Sequence, residues 1–286
     1  MTPVTKCAFS LKLFCLSMLA ALAFAGGVRG QELLEKAEAT EALEESIKTS
    51  PESFLDENGE LDLDAVVKHF EDLYRSTSSI SEAELTTIKP RGKRTLRMDV
   101  WTKGEEKALI VIQSPPREEG TATLKVGKNL WNYLPKIKRT IRIPPSMMLA
   151  SWMGSDFTND DLVRESSFSE DYTYELLGRS EDPKGWLISF NAKPDMVGLW
   201  KRLELVVSED GRIPIEAEYY DRKDRLARTI YWTEVRQFDD RRIPSRLTLV
   251  PQDKEGHRTE MVYLDIDFDV EISESMFSLS ALEQKR

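Results

Sequence analysis

Two periodicities divide the chain. Between residues 62 and 74, Leu63, Val66, Val67, Phe70, Leu73 and Tyr74 recur at the i, i+3, i+4, i+7 spacing of a helix with one apolar stripe, and Asp62 or Asp64 is available as its N-cap. A stripe of this kind needs a surface to pack on. From residue 94 onward the pattern changes to short alternating or apolar runs, rich in Val, Ile, Tyr and Trp and separated by turn residues. That is the pattern of an antiparallel sheet. The runs fall at 94–101, 107–113, 121–126, 130–134 and 138–143, and after a gap at 172–177, 185–191, 200–208, 213–220, 227–235, 246–250 and 259–269. About 11 to 12 strands in one domain suit a barrel or a large curved sheet. Glu209-Asp210-Gly211 and Asp253-Lys254-Glu255-Gly256 have the composition of hairpin turns.

The gap at 144–169 does not alternate. It opens on Pro144-Pro145, runs through Met147, Met148, Leu149, Trp152 and Met153, and reads as a loop with short helical turns, one of them capped by Thr158 or Asn159 with Asp160 and Asp161 in its first turn. Thioethers beside an aromatic ring make a surface that can repack around varied apolar ligands, and they equally make a core plug. The pattern fits both.

The first residues carry a different signal. Lys6 and Lys12 precede an apolar run at 13–25 that falls short of the roughly 20 residues a membrane span needs, and small residues close it in the A-x-A pattern Ala23-Phe24-Ala25, with a second possible cut after Gly30. Residues 1–30 therefore read as a secretory signal, which places the mature protein in the periplasm. Residues 31–58, rich in Glu and Ala and ending in Pro51 and Glu57-Asn58-Gly59, read as an acidic leader, partly helical or disordered. Residues 59–286 then form one domain. Cys7 and Cys15 both lie in the signal, so the mature chain has no thiol and rests on its hydrophobic core.

Charge narrows the partners. From Gln31 onward there are 37 Lys and Arg (the 40 of the chain less Lys6, Lys12 and Arg29) against 50 Asp and Glu, a net of -13, which argues against nucleic acid. Two basic clusters stand out against this background, Lys89-Arg91-Lys93-Arg94-Arg97 and Lys136-Lys138-Arg139-Arg142; each reads as a solvated face or as a docking patch for anionic head groups or an acidic partner.

Catalytic equipment is sparse. The only histidines are His69, on the helix, and His257, in a turn, and neither has a metal-ligand spacing with other residues. Ser151 or Ser155 as a nucleophile would lack an evident base. Asp265, Asp267 and Asp269 alternate with apolar residues, which a half-buried strand explains better than a calcium row. The reading is of a non-enzymatic protein with no metal and no cofactor.

The middle of the chain carries a resemblance. Leu130-Trp131-Asn132-Tyr133-Leu134-Pro135-Lys136-Ile137-Lys138-Arg139-Thr140-Ile141-Arg142-Ile143 is similar to the W-x-Y-L-P…R-R-I segment of the LolA-like outer-membrane lipoprotein-sorting proteins, and Met153-Gly154-Ser155-Asp156-Phe157-Thr158-Asn159-Asp160-Asp161-Leu162 resembles their M-G-S-D-F-S-x-x-D-L signature. Gly120-Thr121-Ala122, Glu218-Tyr219-Tyr220-Asp221 and Phe277-Ser278-Leu279 fit in order, so the likeness spans roughly residues 65 to 282. It implies a strongly curved antiparallel sheet, an incomplete barrel whose concave apolar face is covered by helices and a loop, and a carrier that binds lipid or lipoprotein acyl chains there. At about 0.8 kcal/mol per exposed methylene, a 16-carbon chain left in water costs on the order of 12 kcal/mol. The same resemblance implies, as the alternative, an accessory protein docking on an inner-membrane transporter of the resistance-nodulation-division or ABC type, with an outer-membrane acceptor for any cargo. Taking one face per strand, the expected ligand contacts are Leu96, Met98, Val100, Leu109, Val111, Trp131, Tyr133, Met147, Met148, Trp152 and Met153, with Gly154, Ser155, Asp156, Phe157 and Asp161 as the motif beside them.

Overall fold

The computed structural model describes residues 54–284, apart from 57, 165–167 and 197; the expected signal and most of the expected leader lie outside these residues. The packed domain begins before residue 59. Phe54 joins the core, its N–H donates to the Asp210 carbonyl at 3.2 Å, and Leu55 bridges to Leu61.

The helical stripe forms α1 (Leu63–Asp72), capped by Asp62, whose carboxylate accepts from the Ala65 N–H at 3.1 Å. Val66 and Val67 are its most buried side chains. Thirteen strands follow: β1 (Ser78–Lys89), β2 (Gly92–Lys103), β3 (Lys107–Ser114), β4 (Ala122–Val126), β5 (Asn129–Leu134), β6 (Arg139–Arg142), β7 (Tyr172–Glu181), β8 (Lys184–Ala192), β9 (Trp200–Val207), β10 (Pro214–Asp221), β11 (Leu226–Phe238), β12 (Arg241–Pro251) and β13 (Arg258–Phe268). They make one antiparallel sheet in the order β6-β5-β4-β3-β2-β1-β13-β12-β11-β10-β9-β8-β7.

Two meanders therefore meet at a seam in the middle. There the first strand pairs with the last, from Ser79↔Phe268 to Ile88↔Arg258. The sheet stays open, with β6 and β7 as its free edges. The described part of the segment joining those edges contains α2 (Asn159–Arg164) and α3 (Phe168–Asp171), and the described residues end in α4 (Leu279–Gln284).

Each of the twelve expected runs is a strand, and β1 is an addition. Its sequence, SSISEAELTTIK, buries alternate residues, but among Ser79, Ser81, Ala83, Leu85 and Thr87 only Leu85 is a large apolar side chain, which leaves no apolar alternation to read. Small inward residues are what the centre of a curved sheet has room for when another layer crosses it.

The two faces of the first meander carry different covers. On the concave face Leu96, Met98, Ile110 and Ile112 pack with Trp152 from the β6–β7 connection. On the other face Leu109, Val111, Ala122, Leu124 and Tyr133 pack with Ile272, Phe277 and Leu282 from the C-terminal segment. Burial on both sides explains why β3 is apolar almost throughout. The second meander packs its concave face under α1 and Phe168. In β13, Ile266 and Phe268 are buried while Asp265, Asp267 and Asp269 are exposed; Asp269 accepts from the Ser76 and Thr77 hydroxyls at 2.7 Å each.

Candidate functional site

The β6–β7 connection is a lid laid across the concave face, and its local sequence explains its shape. Pro144-Pro145 ends the edge strand and starts a short 3-10 turn (Pro145–Met147). A tight reversal follows: the Trp152 N–H donates to the Phe157 carbonyl at 2.8 Å, and the Ser155 hydroxyl donates to the Trp152 carbonyl at 2.7 Å. The backbone at Met153 (φ 49°) and Gly154 (φ 73°) is left-handed, the conformation that favours glycine at the second position. Thr158 and Asp161 then cap α2 reciprocally: the Thr158 N–H donates to the Asp161 carboxylate at 2.8 Å, and the Asp161 N–H donates to the Thr158 hydroxyl at 3.2 Å.

Four contacts tie this lid to strands on both sides of the seam. The Trp152 indole, 1% exposed, donates to the Thr123 hydroxyl of β4 at 3.1 Å. Arg94 of β2 donates to the Met153 carbonyl at 2.9 Å. Asp156 accepts from the Thr259 hydroxyl of β13 at 2.8 Å. Arg228 of β11, 5% exposed, donates to both Asp161 oxygens at 2.8 and 2.7 Å. Its guanidinium lies 4.3 Å from the centre of the Trp200 ring and 4.2 Å from that of Tyr219. Burial pushes the Asp161 carboxyl up, but the Arg228 charge and the Thr158 hydrogen bonds outweigh it and hold it below the ordinary carboxylate value. Burial raises the Tyr219 phenol.

Between lid, α1 and sheet lies a partly enclosed cavity of about 250 Å³. Ala83, Met98, Val100, Ala108, Ile110 and Leu130 wall it from the first meander. Leu203, Leu205, Ala217, Tyr219, Ile230 and Trp232 wall it from the second, with Trp152, Phe157 and Leu162 above and Phe70 and Tyr74 at the side. Charged groups enter at two places. Asp160 and Asp161 of the lid stand by Arg228 of the sheet, while buried Arg75 and Lys125 donate to the carbonyls of Gly104 and Glu105 in the β2–β3 turn, at 3.1 and 2.9 Å.

Of the residues expected at the site, Met98, Val100 and Trp152 line the cavity, as do Phe157 and Asp161 of the motif. Leu96 of β2 sits beside it beneath the lid, and Met153, in the lid itself, packs against the same cluster. Gly154, Ser155 and Asp156 shape and pin the lid without reaching the cavity. Met148 is half-buried and Met147 is exposed. The face chosen on two strands is corrected by one residue: Leu109, Val111, Trp131 and Tyr133 pack against the C-terminal segment, and Ala108, Ile110 and Leu130 take the concave positions. A strand reading Ala-Leu-Ile-Val-Ile offers no polar residue to mark its outer face. The wall from the second meander was not expected at all. Arg228, a lone cation within the run Ala227–Trp232 of β11, is the signal there that could have been read.

A family model described as an uncharacterized protein matches residues 104–284. Among solved structures, a DUF1329 family protein from Desulfovibrio piger is 25% identical and superimposes with a TM-score of 0.67 over 77% of this chain and 98% of its own. A domain described as an outer-membrane lipoprotein-sorting protein, from Vibrio parahaemolyticus, gives 22% identity and a TM-score of 0.67 over 76% and 97%. A LolA superfamily protein from Nitrosomonas europaea gives 21% and 0.64 over 76% and 98%. No curated protein matches the chain.

Proposed function

We propose that this chain, whose central motifs resemble those of the LolA-like lipoprotein-sorting proteins and whose fold is shared with a domain so described, is a non-enzymatic periplasmic carrier that holds an acyl chain of a lipid or lipoprotein in its lidded cavity. The observation that carries this reading is the cavity itself: about 250 Å³, walled by apolar side chains from both meanders and roofed by a segment that Trp152 packs onto the sheet and polar contacts pin at its flanks. An apolar wall with few placed polar groups is the composition of a small-molecule site, and the volume lies just under the roughly 300–1,000 Å³ usual for one. Each methylene moved from water into such a wall gains about 0.8 kcal/mol. The fold shared with a lipoprotein-sorting domain makes lipoprotein acyl chains the first cargo to test.

The test is native mass spectrometry of protein purified without detergent, followed by denaturing extraction of whatever is bound. A stoichiometric acyl-bearing species identifies the cargo. A clean unliganded mass that persists after incubation with lipid overturns the carrier reading.

A further inference from the structure

Two basic clusters, far apart in the sequence, arrive at one end of the sheet. The strand registers place them there: Lys89 faces Gly92 across the β1–β2 turn, Arg97 faces Ser114 where β3 ends, Val111 faces Ala122 where β4 begins, and Leu134 faces Arg139 across the β5–β6 turn. Pro135 of the last turn lies against Gly120 of the turn between β3 and β4. The rim so formed carries Lys89, Arg91 and Lys93 at one side and Lys136, Lys138 and Arg139 at the other. None of these six makes an ion pair with any described carboxylate, and apart from Lys89, which reaches the Gly154 carbonyl at 3.4 Å, none spends its charge on the fold. The acids between them are Glu118, which faces Arg94 at 3.5 Å, and Glu119. In a chain of net negative charge, this rim is positive.

Apolar side chains continue from it. Ile137 stands within the second cluster and is 57% exposed; Ile141 on the free edge β6 is 44% exposed, and Met147 and Leu149 at the start of the lid are 49% and 52% exposed. Four of the eight exposed large apolar side chains among the described residues thus fall within 137–149, so the exposure is concentrated in one stretch of the chain. Scattered exposure needs no explanation, but a cluster does.

We propose that this rim and edge dock on the surface of an anionic phospholipid bilayer, with the cations facing head groups and Ile137, Ile141, Met147 and Leu149 entering the interface. Charge alone would suit an acidic protein equally well. Unpaired cations interleaved with exposed aliphatic side chains add the second ingredient, which a bilayer rewards and a charged protein surface does not. Met147 and Leu149 belong to the β6–β7 connection, so a docked molecule would present the start of its cavity roof to the membrane. The proposal goes beyond the carrier reading and does not depend on it.

Sedimentation of the mature chain with vesicles tests it, using phosphatidylcholine mixed with phosphatidylglycerol against phosphatidylcholine alone. Binding to the anionic vesicles that falls as salt rises is expected. Each basic residue near such a surface is worth about fivefold in partitioning, so the exposed triple variant Lys136→Glu, Lys138→Glu, Arg139→Glu should lose at least about a hundredfold. Ile137→Ser with Leu149→Ser should weaken binding while leaving its salt dependence in place. Because all five positions are exposed, circular dichroism should match the wild type throughout. Equal binding to neutral and anionic vesicles, no binding to either, or binding untouched by the triple variant would each overturn the proposal, and the second outcome would point to an acidic protein as the partner of this rim.

Discussion

A guanidinium with almost no access to water has to be compensated where it stands, and Arg228 is compensated twice: by both oxygens of Asp161 and by the faces of Trp200 and Tyr219. Removing one partner of such a buried pair leaves the other uncompensated, so Asp161→Asn should lower stability by about 3–5 kcal/mol, measured by urea unfolding. Adding Arg228→Met should recover part of that loss, since the second change removes the orphaned charge. The pair also has a pH signature. Asp161 titrates lower in the folded protein than in the unfolded chain, so its contribution is complete above the ordinary carboxylate pKa of about 3.9 and fades only as pH falls through the lower folded value. His69 loses stability earlier on the acid side. Burial lowers the pKa of its ring, which lies 5.0 Å from Phe54 and 2.9 Å from the Arg212 carbonyl, so the fold prefers it neutral. Its contribution is complete above about pH 6.5 and declines below it, until the folded form protonates too. Unfolding free energies measured on either side of that pH should therefore differ less for His69→Gln, whose amide can still donate to the carbonyl, than for the wild type; an unchanged difference would refute the assignment.

At the level of elements, fit between strands sets what can change. Gly185 in β8 is approached so closely by β9 that an added Cβ would stand 2.0 Å from the Val207 carbonyl oxygen, a backbone atom that cannot swing aside. Gly185→Ala should cost at least about 1–3 kcal/mol, as overpacking does, and raise hydrogen exchange first along the Trp186↔Val207 register. The lid is anchored differently, through one large side chain. Trp152→Ala should cost about 3–5 kcal/mol and raise exchange at 152–159 more than in β8 or β9. Twelve of the strands were legible because period-2 runs bounded by turn residues leave few other structures open. The lid was legible as a break in that period, with its Met and Trp run and its paired aspartates. The faces of β3 and β5 were not, since a strand buried on both sides carries no polar mark of direction. The cavity-lining side chains of β9 to β11 escaped for a related reason: cavity wall and core wall use the same residues, and only curvature of the whole sheet separates them.

For the whole molecule, the cavity depends on the two meanders facing one another across the seam. Small residues on its wall keep it open, Ala83 and Ala108 from one side and Ala217 from the other. Ala217→Trp should fill the space and remove any co-purifying acyl species from the native mass spectrum while the protein still unfolds cooperatively; retention of the full complement would show that the chain is held elsewhere.

The seam also bears on the order in which the chain is made. β1 is the first of the thirteen strands to be made, yet one of its two neighbours, β13, is the last, so until β13 appears β1 is an unpaired edge. An unpaired edge that is long and apolar invites pairing with another chain. The Ser, Thr and Glu content of β1 makes it a poor partner for strangers, and a strand that must wait for its partner is safest when it is least attractive to others. The polarity that hid β1 from the hydrophobic pattern is what guards it against aggregation until β13 arrives.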